Sequence, residues 1–353
     1  MTTAEPVSVE AARTAFFKQG RLPAKFNHSV LRSWIRCSEM GLDAGGPPRV
    51  APMTAAEFKA ACERHETLRR LSRPELDALH AEARETGAIV ILTNAEGVIL
   101  DAVGDPGFAD RAAQVALRPG AAWSEAGAGT NAIGTALAER RGVAVNGAEH
   151  FYAEHKGLTC AAAPIIDPRG AIVGALDLSG AASVPHAHAL GLVRMAVEQI
   201  EHRLLRQPFD GCVVVRFHAD PNLLGAAREG VLVFKDERLV GANRRGLSLV
   251  GRGWEALDET RFSEIFAAPL SGLARRGDLV THAGERFAAM ASFPDDPHEG
   301  AQVAAPGSGT LEDAELAAMR RALAAAGGNV SLAARRLGVH RSTLYRRLIS
   351  TGD

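Results

Sequence analysis

The opening part of the chain carries apolar residues at helical spacing. In "SVLRSWIRCSEMGLD", Leu31, Trp34 and Ile35 fall on one face before Gly41 and the Gly45–Pro48 stretch end the run. Thr54 and Glu57 have capping-box spacing at the start of a second helix expected to run past Leu71. From Ala88 the period shortens. "AIVILTNAEGVILDAVG" is two apolar runs around Asn94–Gly97 and predicts a β-hairpin. A second hairpin is predicted where "LTCAAAPIID" and "AIVGALDLSG" flank a Pro-Arg-Gly turn. Between the hairpins lie a helix near 131–139 and a short strand at 143–145. The segment 88–180 therefore predicts an antiparallel α+β unit, not an alternating βαβ series.

Next, "HALGLVRMAVEQIEHRLL" places Leu190, Val193, Val197, Ile200 and Leu204 at alternating spacings of three and four. This helical seam could pair with a second copy of the chain or pack on its own sheet. After Pro208 a weaker α/β region offers "CVVVRFH", "GVLVFKDERLVGANRRGLSLVG" and "FAAMASF" as strand-like pieces. "PDDPHEGAQVAAPGSG" has no apolar period and predicts a linker. The expected organisation is an N-terminal helical region over 1–85, a sensor domain over 86–206 ending in a signalling or dimerisation helix, a smaller α/β module over 207–293, a linker over 294–309 and an all-α end over 310–353.

Composition adds little at the scale of the whole chain. The 353 residues are 46% hydrophobic and 23% charged, with a formal net charge of −1. No apolar run reaches membrane-spanning length and no targeting segment opens the chain, so a cytoplasmic protein without a membrane partner is expected. Cys37, Cys62, Cys160 and Cys212 are far apart and contain no C-x-x-C pair, which predicts free thiols. Local charge says more: seven arginines and no acidic residue lie between Arg320 and Ser350. A neutral chain with one basic end points to a polyanion-binding module.

That end has the pattern of a helix-turn-helix. Leu316, Met319 and Leu323 share a face of a first helix that Gly327–Gly328 end. A short second helix runs from Asn329 to Leu337, and Gly338 makes the bend into a third, from about Arg341 to Ser350. Leu344 and Leu348 face inward there. Ser342, Tyr345 and Arg346 face outward, flanked by Thr343, with Arg341 at the helix start. Hydroxyl, aromatic and guanidinium groups on an outward face suit bases and phosphates in the major groove.

"GGNVSLAARRLGVHRSTLYRRL" resembles the Fis-type helix-turn-helix that ends many bacterial enhancer-binding activators. "LRSWIRCSEMGLD", "WSEAGAGTNAIGTAL", "GAEHF" and "LTCAAAPIIDPRGAIVGALDLSG" together resemble the amino-terminal sensor of the acetoin-catabolism activators (AcoR-like). The resemblance covers most of the chain, with its motifs in family order. It implies a GAF domain for the sensor, a PAS-like domain after it, and DNA contacts from His340, Arg341, Ser342, Thr343, Tyr345, Arg346 and Arg347. It also implies double-stranded DNA and a small-molecule effector as partners, a homodimer with recognition helices roughly 34 Å apart, and no cofactor. Two departures matter. The family's ATPase needs a Gly-x-x-x-x-Gly-Lys-Ser/Thr loop, and this chain has no Gly-Lys dipeptide. His340 stands where the family more often has Ser or Asn as a helix cap.

For a GAF-like sensor, Trp123, Phe151 and Cys160 are candidate apolar walls of an effector pocket, and Asn131, His150 and His155 its polar contacts. The spacing of His150, His155 and Cys160 fits no single helical face, so no metal is assigned. No nucleophile elbow, H-E-x-x-H pair or spaced acid pair is present, and no catalytic residue is assigned. "GAGTNAIGTAL" matches Gly-x-G-x-x-Gly/Ala. However, a polar stretch precedes it where a dinucleotide turn needs a strand, which makes a nucleotide-binding enzyme the weakest alternative. A second alternative is a partner without ATPase activity that modulates a full-length activator.

Overall fold

The computed structural model describes residues 8–50, 52–104, 115–184, 188–207 and 209–294. The expected linker from residue 295 onward and the whole helix-turn-helix lie outside the described residues. So do the DNA-contact candidates His340, Arg341, Ser342, Thr343, Tyr345, Arg346 and Arg347. Among the described residues the fold is mixed α and β, with two antiparallel sheets and helices packed on them.

The first sheet comprises β1 (Ile89–Asn94), β2 (Ile99–Gly104), β3 (Val143–Asn146), β4 (Leu158–Ile166) and β5 (Ile172–Ala181), in the order β2-β1-β5-β4-β3. Every residue of β1 and β4 is buried, which explains their unbroken apolar runs: both faces of this sheet are covered. One face receives α4 (Glu66–Ala83) and α7 (Ala189–Leu204). Leu68, Leu76 and Leu79 meet Val90, Leu92, Ile165, Leu176 and Leu178, joined by Val193, Val197 and Ile200. Leu190 and Leu204 pack on the same cluster. The seam of α7 is thus spent on its own sheet, the second of its two possible uses.

The other face is covered by α2 (His28–Glu39), α5 (Glu125–Ala128) and α6 (Ala132–Glu139), with α1 (Val9–Arg13) outside them. The buried stripe of α2 is Val30, Ser33, Trp34 and Cys37, rotated from the expected Leu31, Trp34 and Ile35. The reason is polar: Ser33 Oγ donates to Thr130 Oγ1 (2.8 Å) and accepts from Thr135 Oγ1 (3.1 Å), so a small hydroxyl is buried where apolar periodicity would place Ile35. Arg36 ties α2 to α5 and α6 through Glu125 and Glu139, at 2.7 Å each.

The Thr54–Glu57 capping box is present, but the helix it starts, α3 (Ala55–Arg64), gives way at His65 to α4. At His65 ψ turns to +21°, so one expected helix is two. The second sheet contains β6 (Val213–His218), β7 (Gly230–Lys235), β8 (Arg238–Ala242), β9 (Arg276–Val280) and β10 (Arg286–Ser292), in the order β8-β7-β6-β10-β9. With α8 (Arg244–Leu249) and α9 (Phe262–Ile265) it encloses a core built on Phe217, Phe234, Phe262, Phe266 and Phe287.

The two sheets meet through main-chain and charged contacts. Arg244 Nη2 donates to Glu201 Oε1 on α7 and to the Pro164 carbonyl, both at 2.8 Å, while Glu201 also accepts the Ile166 N–H at 2.8 Å. The Ala242 N–H donates to the Pro168 carbonyl at 2.8 Å.

Candidate functional site

The face of the first sheet beneath α2, α5 and α6 combines aromatic bulk with buried polar groups. Strand alternation turns Ile89 and Ile91, Cys160 and Ala162, and Asp177 and Ser179 toward this side. Trp34, Trp123, Phe151 and Tyr152 are fully buried in the same cluster.

The glycine-rich stretch forms part of this cover. Asn131 caps α6: its Oδ1 accepts the Gly134 N–H and its Nδ2 donates to the Gly129 carbonyl, both at 2.8 Å. Gly129 has φ +62° and ψ −159°, a region open to glycine alone, and a Cβ there would sit 2.5 Å from Phe151 Cβ. At Gly134 a Cβ would lie 2.7 Å from the Glu125 nitrogen. The amides are also spoken for, since Gly129 N–H donates to the Glu125 carbonyl. These glycines let a short helix approach a neighbouring loop, and they offer no free amide cradle for phosphate.

Of the candidate effector contacts, the structure brings Trp123, His150, Phe151, His155 and Cys160 onto this one core face. Asn131 is buried beside them, with its amide committed to the helix cap. Trp123 donates from Nε1 to the Ala116 carbonyl (3.0 Å) and stacks on His155 at 4.7 Å between ring centroids. His150 Nδ1 lies 3.0 Å from the Gly147 carbonyl, but its Nε2 is buried without a partner. Neither ring nitrogen of His155 makes a hydrogen bond of good geometry. Burial pushes the two imidazoles down to about 3 for His150 and about 4 for His155, so both are neutral. From outside, the Arg13 guanidinium donates to the carbonyls of Ala148, His150 and Phe151, and Trp34 Nε1 donates to the Glu149 carbonyl at 2.8 Å. The N-terminal helices thereby fix the segment that carries both histidines.

Two further residues on this face, Asp177 and Ser179, escape a reading of periodicity. Asp177 is fully buried on the central strand β5; its Oδ2 accepts from Ser179 Oγ, and its Oδ1 has no partner. Burial raises its carboxyl to about 7, leaving it near half-protonated at neutral pH. The available signal was one acid in the otherwise apolar "GALDLSG". Cys160 faces Ser179 across the strands, and burial pushes its thiol well up, so nothing activates it. His150 and His155 stand edge to face, 6.2 Å apart. Among the described residues no three His, Cys, Asp or Glu side chains converge as for a metal ion. The set of neutral imidazoles, a half-protonated carboxyl and a hydroxyl among aromatic rings suits a small, uncharged, polar molecule. Among the described residues no helix is long and apolar enough to cross a membrane.

The sequence family described as "MimR, N-terminal domain" matches residues 5–202, and "Bacterial regulatory protein, Fis family" matches residues 310–348. An acetoin catabolism regulatory protein of Cupriavidus necator is 30% identical over 279 residues, covering 71% of this chain and 42% of that protein. The propane 2-monooxygenase operon transcriptional activator MimR of Mycolicibacterium smegmatis is 33% identical over 202 residues, covering 56% and 33% respectively. The chain thus spans less than half the length of these curated relatives. Among solved structures, the E. coli DhaR(N)–DhaL complex aligns with a TM-score of 0.48 and 14% identity, over 75% of this chain and 99% of that one. The first family spans the N-terminal helices and the whole first sheet together with nearly all of α7, more than half of the chain. The chain belongs to the MimR N-terminal-domain family and carries a Fis-type helix-turn-helix segment near its other end.

Proposed function

We propose that this protein is a one-component transcriptional regulator that binds DNA through residues 310–353 and is controlled by a small effector held in the first sheet's core. The carrying observation is the joining, in one chain, of a MimR N-terminal domain to a Fis-family segment. On this reading the first sheet and its helices are a GAF-like sensor over about 86–206, steadied by the helices of 1–85. The second sheet, over 207–293, is a PAS-like module. Residues 294–309 link both to the DNA-binding end, and the protein acts in the cytoplasm as a homodimer. With no Gly-Lys phosphate loop it acts without ATP hydrolysis.

The effector is a neutral polar metabolite such as a small alcohol or ketone. Trp123, Phe151 and Cys160 wall it, and His150, His155 and Asp177 reach it by hydrogen bonds. The names of its relatives, an acetoin-catabolism regulator and a propane-monooxygenase activator, support that class. On the DNA side Arg341, Ser342, Thr343, Tyr345, Arg346 and Arg347 contact the operator, with His340 at the helix start.

Footprinting of the purified protein on its own upstream region at about 150 mM salt is the test. A protected palindromic site is expected, and no protection would overturn the regulator reading. Arg346→Ala and Thr343→Ala should each weaken operator binding about ten-fold or more while the fold survives, since one good base contact is worth roughly 1–3 kcal/mol. Operator affinity that stays unchanged across a panel of small alcohols, ketones and aromatics would overturn the sensor role.

A further inference from the structure

Where α7 passes the second sheet, a cavity of about 560 Å³ opens between them. One wall is the side of α7 opposite its seam, with Met195, Glu198 and His202 at spacings of three and four. The other is built by Leu223, Ala227 and Arg228 from the loop before β7, by His218 at the end of β6, and by Asn243, Arg244, Arg245 and Ser248 at and on α8. This space lies outside both sheet cores.

We propose that this cavity is a second ligand site, separate from the effector core, and that it takes a small organic acid: a carboxylate on a short apolar body.

The charge inventory of the lining argues for an anion. Arg228, Arg244 and Arg245 face Glu198 and Glu201. Glu201 is already neutralised, by Arg244 at 2.8 Å and by the Ile166 N–H. Arg228 and Arg245 are exposed and have no ion-pair or hydrogen-bond partner among the described residues, which leaves two guanidiniums against the single rim acid Glu198. A guanidinium pairs with a carboxylate through two parallel hydrogen bonds.

The floor supplies further polar groups. The Asp220 N–H donates to His218 Nδ1 at 3.0 Å, and the same nitrogen lies 3.3 Å from the Asp220 carbonyl, which ties this lining ring to its own loop. His202 Nδ1 is buried without a partner; burial first, and then the nearby Arg216, Arg206 and Arg203, lower its ring to about 4 and keep it neutral. Met195, more than half exposed on a helix otherwise buried at its seam, provides with Leu223 and Ala227 the apolar side on which a ligand body would rest. A cavity of this volume holds a molecule the size of a substituted benzoate.

The site does not depend on the proposed regulator role and can be tested apart from it. The full-length protein is titrated calorimetrically with benzoate, with its neutral isostere benzamide, and with inorganic phosphate. A second series uses the Arg228→Ala/Arg245→Ala double variant, whose thermal midpoint checks the fold. Benzoate should bind one-to-one, benzamide should bind at least about ten-fold more weakly, and the double variant should lose about ten-fold or more of the benzoate affinity, as expected for a charge-assisted pair. Equal binding of benzamide, binding of phosphate but not benzoate, or full benzoate affinity in a correctly folded double variant would each overturn the proposal.

Discussion

Each sheet places its first and last strands side by side at its centre and buries an aromatic core, yet the two cores are built on opposite rules. In the second, Phe217, Phe234, Phe262, Phe266 and Phe287 pack mostly edge to face, with ring centroids 4.9–5.9 Å apart, and the one buried side-chain polar atom of residues 209–294 without a hydrogen bond among the described residues, Glu229 Oε1, lies 3.9 Å from Arg216 Nε. In the first, Trp34, Trp123, Phe151 and Tyr152 are interleaved with His150, His155 and Asp177, which carry four buried nitrogen or oxygen atoms without a hydrogen bond of good geometry. A core built only for stability has no reason to bury polar atoms it leaves unpaired, because each forfeits water for nothing. The second core holds its sheet together. On the proposed sensor reading, the first gives up some stability to keep donors and acceptors for an effector.

Breaking the apolar core should have the largest effect. Phe262, fully buried between Phe234 and Phe266, leaves a void when truncated, and Phe262→Ala is expected to lose about 3–5 kcal/mol in denaturant unfolding. A loss under about 1 kcal/mol would mean that the second core is loosely packed and the contrast overstated. In the first core the comparable weak point is backbone, not bulk. Gly129→Ala forces a Cβ against Phe151 in a glycine-only conformation, with an expected loss of about 2–3 kcal/mol by the same measurement. If this variant matched the wild type, the glycine run would need a purpose other than packing.

What could be read in advance follows this same division. The strands β1, β4 and β5 were legible because burial on both faces makes their apolar runs continuous. The strand β9 was not: "RGDLV" lies at a sheet edge, and only Leu279 is buried. The break at His65 was hidden because Ala55–Arg64 and Glu66–Ala83 share one helical period. At the site, aromatic and imidazole side chains marked Trp123, His150, Phe151 and His155, whereas Asp177 was lost in an apolar strand. Periodicity tells which positions alternate, but it does not tell which face of a doubly covered sheet carries the buried polar groups. Asn131 has the composition of a ligand contact, and only geometry shows its amide already in use.

Asp177 gives the comparison a pH dependence. Its folded carboxyl titrates near 7, above the ordinary carboxylate value of 3.8 in the unfolded chain. The native state therefore holds the proton more tightly, and stability fully present below pH about 4 is lost progressively as pH rises to about 7, with no further loss above that. Asp177→Asn removes that loss and can still accept from Ser179. The variant should gain on the wild type by about 2 kcal/mol between pH about 5 and pH about 7, and the difference should level off above pH about 7.5. Thermal midpoints of both proteins across this range are the check. A constant difference would show that the carboxyl is not the titrating group.

The smallest effect carries the most pointed test. His155 stacks on Trp123, and its ring nitrogens make no hydrogen bond of good geometry beyond a loose contact with the Ala128 backbone, so at neutral pH it contributes a ring face and poorly satisfied polar atoms. His155→Phe keeps the stack and removes the unsatisfied atoms, and the variant should be more stable by about 1 kcal/mol at pH about 7. A structural histidine would give the opposite sign, because its replacement would break a satisfied contact. The same variant should lose its response to whichever alcohol or ketone shifts operator affinity in the wild type, while keeping operator binding without effector. A variant both more stable and still responsive would show that the effector lies elsewhere and that this polar core has another purpose.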